Sequence, residues 1–186
     1  LMAISAFSGL LVRPLVAWGL DAVGRKPVLF AGTVAMVSSS LMVLFVRDIG
    51  VMIYASRVVF GMAVGALFSS YFTVAADIVP LSRRTEGLAL FGASGLVPLL
   101  VNPLYDQLAI APADLRWFLP MIGGAIALSL VPLALLREPE RDTSTGFVVR
   151  DALRALIERP LWPVWLATAA FSLMVGVFMT FATVAA

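Results

Sequence analysis

Six long apolar stretches, separated by short polar breaks, dominate the pattern along the chain. They run over Leu1–Leu20, Pro27–Val46, Val51–Val79, Glu86–Ile110, Arg116–Leu136 and Leu161–Ala186. A helix needs about 20 predominantly apolar residues to cross a bilayer, and each stretch is close to or above that length. The pattern therefore predicts an all-α polytopic membrane protein with a helical bundle.

The composition agrees with a membrane location and excludes several kinds of function. Hydrophobic residues make up 61% of the chain, against about 45–50% in soluble domains. Cysteine and histidine are both absent, so disulfides, thiol nucleophiles and imidazole metal sites are excluded. With a net charge of +2 and no basic run, the chain gives no sign of a nucleic-acid partner. We expect no cofactor, no metal and no enzymatic activity, because no paired acidic motif lies at membrane depth.

The basic residues of the polar breaks fall unevenly on the two sides of the predicted spans. One side collects Arg25, Lys26, Arg83, Arg84, Arg137, Arg141, Arg150, Arg154 and Arg159, whereas the other has Arg47 and Arg116. Loops rich in Lys and Arg stay in the cytoplasm. The breaks at 21–26, 80–85 and 137–160 are therefore predicted to be cytoplasmic.

The break at 137–160 is long, charged and polar, and it divides the chain into a bundle at 1–136 and a further helix at 161–186. Val149, Leu153, Leu156 and Ile157 recur at helical spacing within it. This spacing favours an amphipathic helix on the membrane surface. A solvated loop with one helical turn is the alternative.

Three motifs resemble those of a known family. Residues 19–27 read GLDAVGRKP, similar to the signature G-x-L-x-D-x-x-G-R-K/R that follows the second helix of the major facilitator superfamily. Ala22 stands where a basic residue is frequent. Arg57, Gly61 and Gly65 resemble the arginine-and-glycine motif of that family's fourth helix, and the run that begins with Asp77 resembles its fourth-to-fifth junction.

The resemblance implies a partial superfamily bundle. The chain would hold helices two to six of the amino-terminal half, the linker between the halves and most of helix seven. Helix one and the remaining carboxy-terminal helices would lie outside it, so we expect a fragment of a transporter. The family has twelve helices in two halves that rock to expose a substrate alternately to each side. A monomer in the cell membrane, specifically a bacterial inner membrane, is implied.

The first motif is interpreted as a conformational latch at the cytoplasmic gate. The latch residues are Gly19, Asp21, Gly24, Arg25, Lys26, Asp77, Arg83 and Arg84. The two glycines permit a tight turn, and the aspartate can meet the positive end of a helix from the missing carboxy-terminal half. Arg25 is suited to pair with Asp77, with Arg83 or Arg84 nearby. Interfacial charges that only anchor the hairpin are the alternative.

Five polar residues are candidates for substrate or proton coupling. Arg57 lies several residues inside its helix, where a guanidinium is costly unless it faces a wet cavity or snorkels to the interface. Arg13 is assigned to the cytoplasmic gate in preference to substrate binding. Asp106 is a candidate proton carrier or a helix-end acid. Asn102 and Tyr105 can bind a polar solute or cap the outer end of their helix.

Gly61 and Gly65 recur at four-residue spacing, which lets a neighbouring backbone approach closely. We expect them to pack helices together.

The favoured function is secondary active transport of a small solute, coupled to protons, with efflux of a drug or metabolite first. The helix-five glycine-proline-x-x-glycine motif of drug exporters is represented only by Pro103, without its flanking glycines. Uptake of a sugar, organic anion or other nutrient is the alternative. A scaffold or assembly subunit without transport is the alternative from another class. The expected partners are the substrate, protons, the lipid bilayer and the missing half.

Overall fold

The computed structural model describes residues 2–46, 48, 50–95, 115–136, 162–163, 166–170 and 173–174. The chain divides into two units, Leu1–Gly146 and Phe147–Ala186. The described residues of the second unit are helical and fall within the predicted window Leu161–Ala186. The predicted division at 137–160 stays a prediction, because residues 137–161 and the amphipathic pattern within them lie outside the described part.

The first unit is built from helices alone in its described residues. They are α1 (Met2–Ala22), α2 (Arg25–Met42), α3 (Val51–Ile78), α4 (Arg84–Ser94), α5 (Leu115–Leu128) and α6 (Leu130–Leu135), with 3-10 turns at Val43–Phe45 and Leu81–Arg83. No strand occurs among the residues described. The predicted all-α fold class is confirmed.

Three of the described helices are long and apolar enough to cross a bilayer, namely Met2–Ala22, Arg25–Phe45 and Val51–Ile78. The first three predicted windows match them closely. Window four is described only over α4, and window five is interrupted. The interruption follows from Pro132, which has no amide hydrogen to donate to the carbonyl of Leu128. Ser129 closes the end of α5 instead, since its hydroxyl and its amide both donate to the carbonyl of Ile126, at 2.6 and 3.0 Å.

The break at 21–26, predicted to be a loop, is almost entirely helical. α1 continues to Ala22 and α2 begins at Arg25, which leaves only Val23 and Gly24 between them. The prediction was wrong about this boundary because it assigned the charged residues to the loop. In the structure Asp21 belongs to the last turn of α1, and Arg25 and Lys26 to the first turn of α2.

Glycines set the contact between α1 and α3, which run in the same direction. Gly61 lies against Ser5, and Gly65 lies against Gly9. A Cβ atom added at Gly65 would lie 2.5 Å from the carbonyl oxygen of Gly9, and one added at Gly9 would lie 2.8 Å from the carbonyl oxygen of Gly61. Small residues allow the two backbones to touch, as is common between helices in lipid.

α2 runs in the opposite direction and packs on both α3 and α6. Leu29 is fully buried in a cluster with Val74 and Leu133. Nearer the middle of α2, Gly32 faces the side chain of Leu67, and a Cβ atom added at Gly32 would lie only 3.0 Å from a methyl carbon of that leucine. These contacts bring the start of α2 to the ends of α3 and α6.

Several buried hydroxyl groups in these helices find acceptors locally, whereas those of Ser5 and Ser70 have no partner among the described residues. Thr33, Ser39 and Ser56 each donate at 2.8 Å to a backbone carbonyl three or four residues earlier in the same helix. Such bonds satisfy polar side chains where no water is available. The interior therefore carries polar residues without open donors at these positions.

Candidate conformational site at the turn between α1 and α2

The chain reverses direction at Val23 and Gly24, at the end of the bundle where α1, α3 and α6 also end. We call this end of the bundle, which contains the reversal, the turn end. The amides of Val23 and Gly24 both donate to the carbonyl of Gly19, at 2.8 and 3.0 Å, and so close the end of α1. Gly24 has φ 126° and ψ 166°, a region that is essentially restricted to glycine. Only glycine at this position permits a two-residue reversal without strain.

Gly19 contributes a close approach between the two helices that flank the reversal. It is buried, and a Cβ atom at this position would lie 3.2 Å from a methyl carbon of Val28. The side chain of Val28 therefore packs directly on the backbone of α1. The two glycines of the motif have separate effects, one on packing and one on backbone conformation.

Arg25 binds two helices at once. Its Nε donates to Oδ2 of Asp77 at 3.0 Å, and its Nη1 donates to the carbonyl of Leu20 at 2.9 Å. The side chains of Arg25 and Asp77 are 14% and 26% exposed. A partly buried hydrogen bond between two ionised groups is stronger than a neutral one. Arg25 thus joins the start of α2 to the last turns of α1 and α3.

Lys26 reaches the remaining helix that ends here. Its Nζ donates to the carbonyl of Ala134 in the last turn of α6, at 2.6 Å. A lysine that binds the final carbonyls of a helix satisfies acceptors that have no partner inside that helix. The contact spans 108 residues of sequence, so no local pattern indicates it.

Asp21 is exposed at the turn end, in the last turn of α1. Within the described part of the chain its carboxylate forms no hydrogen bond or ion pair. The structure therefore places Asp21 beside the Arg25–Asp77 pair but does not include it in that network.

Arg83 and Arg84, predicted to lie near Asp77, follow the end of α3. Arg83 binds Glu86 with two hydrogen bonds, at 2.9 and 3.1 Å, between side chains 72% and 57% exposed. Exposed pairs of this kind contribute little to stability. Arg84 is exposed as the first residue of α4. Neither arginine contacts Asp77 in the described residues, so only Arg25 joins it there.

The candidates for substrate or proton coupling are only partly described. Arg13 lines a groove of ≈ 550 Å³ between α1 and α3, together with Ser5, Gly9, Phe60, Gly61 and others. Arg57 is exposed one turn before Gly61 on α3. Asn102, Tyr105 and Asp106 lie outside the described residues. The groove has a cation and small residues on its wall.

Two contributors to these contacts were missed by sequence reasoning. Gly9 faces Gly61 and Gly65 across the α1–α3 contact, and its four-residue spacing from Ser5 repeats the small-residue spacing that identified the α3 glycines. Ala134 accepts from Lys26 through its backbone, and a backbone acceptor carries no sequence signal. Among the described residues no cluster of acidic side chains is suited to hold a metal ion.

Comparison with known proteins gives a family assignment. The family model described as Major Facilitator Superfamily matches residues 1–186. The chain is 28% identical over 127 residues to the multidrug resistance protein MdtL of Citrobacter koseri, which covers 68% of this chain. It spans about a third of that relative's length (32%). No solved structure matches. Because the family model matches the whole of residues 1–186 and the described helices agree with it, the chain belongs to the Major Facilitator Superfamily and is part of a multi-pass membrane protein.

Proposed function

We propose that this chain is part of a secondary active transporter that moves a small solute across the membrane by alternating access. The observation that carries the proposal is the pair of bonds made by Arg25, to Asp77 and to the carbonyl of Leu20. These bonds fix the α1–α2 turn to α3 while Asp21 stays exposed beside them. A rigid end with one exposed carboxylate is suited to reversible contact with a second half.

The turn end acts as a latch on the cytoplasmic side. Nine basic residues in the breaks on this side against two on the other support the orientation. In the latched state Asp21 meets the positive end of a helix in the other half of the protein. This contact closes the cytoplasmic side, and its release opens it. The latch therefore controls conformation and takes no part in substrate chemistry.

The favoured form of transport is export of a drug-like compound or metabolite, driven by a proton gradient. The resemblance to MdtL, whose name describes multidrug resistance, supports this choice. The groove that contains Arg13 is a candidate part of the solute path. Arg57 lies one turn before Gly61, which lines the same groove. A transport role, and not an enzymatic one, fits a chain without cysteine or histidine. The bacterial inner membrane is the proposed location.

Flux in proteoliposomes tests the function directly. The full-length protein is reconstituted, a proton gradient of either sign is imposed, and movement of a cationic dye and of labelled sugars is followed. Dye movement against the proton gradient supports proton-coupled efflux. Sugar uptake with protons identifies the uptake alternative. A protein that moves no tested solute in either direction contradicts the proposal and favours the scaffold alternative.

A further inference from the structure

Three helices finish at the turn end, and two consecutive cations reach all of them. α1 ends at Ala22, α3 at Ile78 and α6 at Leu135. Arg25 donates to the first two helices, through the Leu20 carbonyl and the Asp77 carboxylate. Lys26 donates to the third, through the carbonyl of Ala134 at 2.6 Å.

The position of these cations is unusual for the helix that carries them. Arg25 and Lys26 occupy the first turn of α2, which contains no acidic residue. The amino-terminal end of a helix is its positive end, so α2 itself disfavours cations there. The carboxy-terminal ends of neighbouring helices are negative and have carbonyls without partners. The two cations therefore stabilise the carboxy-terminal ends of α1, α3 and α6, and not the start of α2.

The packing below Lys26 continues the same contact. Leu29 lies one turn further along α2, is fully buried, and packs against Leu133, the residue before Ala134. The apolar contact holds the two helices together, and the Lys26 hydrogen bond extends it to the last turn of α6. An ammonium group suits this position because its compact charge on a flexible stem can follow a backbone carbonyl.

We propose that Lys26 is a positioning residue that ties the carboxy-terminal end of α6 to the α1–α2 turn. The turn and the end of α6 then move as one body. The first motif therefore holds two neighbouring helices: Arg25 fixes the end of α3, and Lys26 fixes the end of α6. The effect of Lys26 on flux depends on the proposed transport function, whereas its effect on the position of α6 does not.

A distance measurement tests this proposal without reference to transport. Spin labels are placed at Phe30 on α2 and Val131 on α6, both exposed, in the full-length protein. The 186 residues contain no cysteine, so labels introduced in this segment have no competing site within it. Lys26→Met removes the charge and the donor but keeps an unbranched, flexible side chain that is one atom shorter. Loss of a charge-assisted hydrogen bond is expected to raise the separated population about tenfold.

Two further variants make the result specific. Lys26→Arg keeps a charged donor and is expected to restore the distance distribution of the unmodified protein. Asp48→Asn removes an exposed charge from the break between α2 and α3, away from the turn end, and it is expected to change nothing. If Lys26→Met does not accumulate in the membrane, Lys26→Leu replaces it, since its side chain has neither a charge nor a hydrogen-bond donor.

A Lys26→Met distribution identical to that of the unmodified protein would overturn the proposal. Equal widening of the distribution by Asp48→Asn would also overturn it. If the distance changes and the transport proposal holds, the turnover rate falls while the KM for the solute stays unchanged. If the distance changes but the unmodified protein moves no solute, the Lys26 contact is supported and only the transport proposal fails.

Discussion

Arg25 shows how one side chain can fix the geometry of a helix reversal. Its guanidinium presents several donors in a planar fork, so a carboxylate and a carbonyl from different helices can be bound together. Asp77 and the Leu20 carbonyl occupy two of these donors. A lysine at this position has a single nitrogen and could not bridge them in the same way. The residue type, and not only its charge, follows from the two acceptors.

Reversal of the charges at Arg25 and Asp77 tests this pair. Arg25→Asp and Asp77→Arg are each expected to lower flux and stability, because each variant places two like charges opposite one another in a partly buried place. The double variant should recover part of the loss, with a coupling energy of about 0.5–3 kcal/mol. Recovery stays partial because an aspartate at 25 cannot donate to the Leu20 carbonyl. The four proteins are compared by flux and by thermal stability in detergent, and complete additivity would rule out the pairing.

Gly24 provides a second test at the residue scale, through backbone conformation alone. Gly24→Ala forces a side chain into φ 126° and is expected to cost about 1–3 kcal/mol. Gly92→Ala is the matched control. Gly92 lies inside α4, and a Cβ atom added there would have no atom of a neighbouring element within 4 Å. The control should be neutral or more stable by about 0.5–1 kcal/mol. Equal thermal midpoints for the two variants in detergent would contradict this account of the turn.

At the scale of the helices, packing depends on small residues more than on large apolar ones. Many of the bulky side chains of α1, such as Phe7, Leu10 and Leu15, are exposed on its surface, as expected for a helix that faces lipid. The closest part of the contact with α3 is made by Ser5 and Gly9 against Gly61 and Gly65. Further along, apolar residues of α1 pack around the small side chain of Ala66. Close approach of backbones replaces the large buried side chains of a soluble core.

Gly65→Ala tests that contact. The added methyl group would lie 2.5 Å from the carbonyl oxygen of Gly9, so α1 and α3 must separate, at a cost of about 1–3 kcal/mol. Gly124→Ala on α5 has nothing within 4 Å of the added atom and serves as the control. Thermal unfolding of the full-length protein in detergent compares the two. A Gly65→Ala protein as stable as the control would show that the close approach is not required.

Much of this arrangement could be predicted from the sequence, for physical reasons that differ between its parts. A bilayer demands long apolar helices, so α1, α2 and α3 follow from hydrophobicity alone. The α1–α2 reversal follows from the glycine pattern, although the helical position of Arg25 did not. The Lys26–Ala134 contact could not be predicted, because a backbone carbonyl is identical at every residue. The partner of Arg83 was also not predicted, because its side chain binds the nearby Glu86 and not Asp77.

At the scale of the whole molecule, the turn end contains both the motif that resembles the family signature and the contacts that join the helix ends. The Major Facilitator Superfamily model matches residues 1–186, and the ends of α1, α3 and α6 are joined there by Arg25 and Lys26. In the proposed transporter this joined end presents Asp21 to the other half of the protein. We propose that Asp21 in this position stabilises a closed cytoplasmic side and so controls the transport cycle.

The most direct test of this claim is the flux of the full-length Asp21→Asn protein in proteoliposomes. The amide keeps the size of the side chain but removes the charge that meets the helix end. We predict a flux about tenfold lower, with unchanged insertion into the membrane, in line with a charge–dipole contribution of up to about 2 kcal/mol. Asp48→Asn, an exposed carboxylate in the break between α2 and α3, should retain normal flux. Normal flux in Asp21→Asn would contradict the latch.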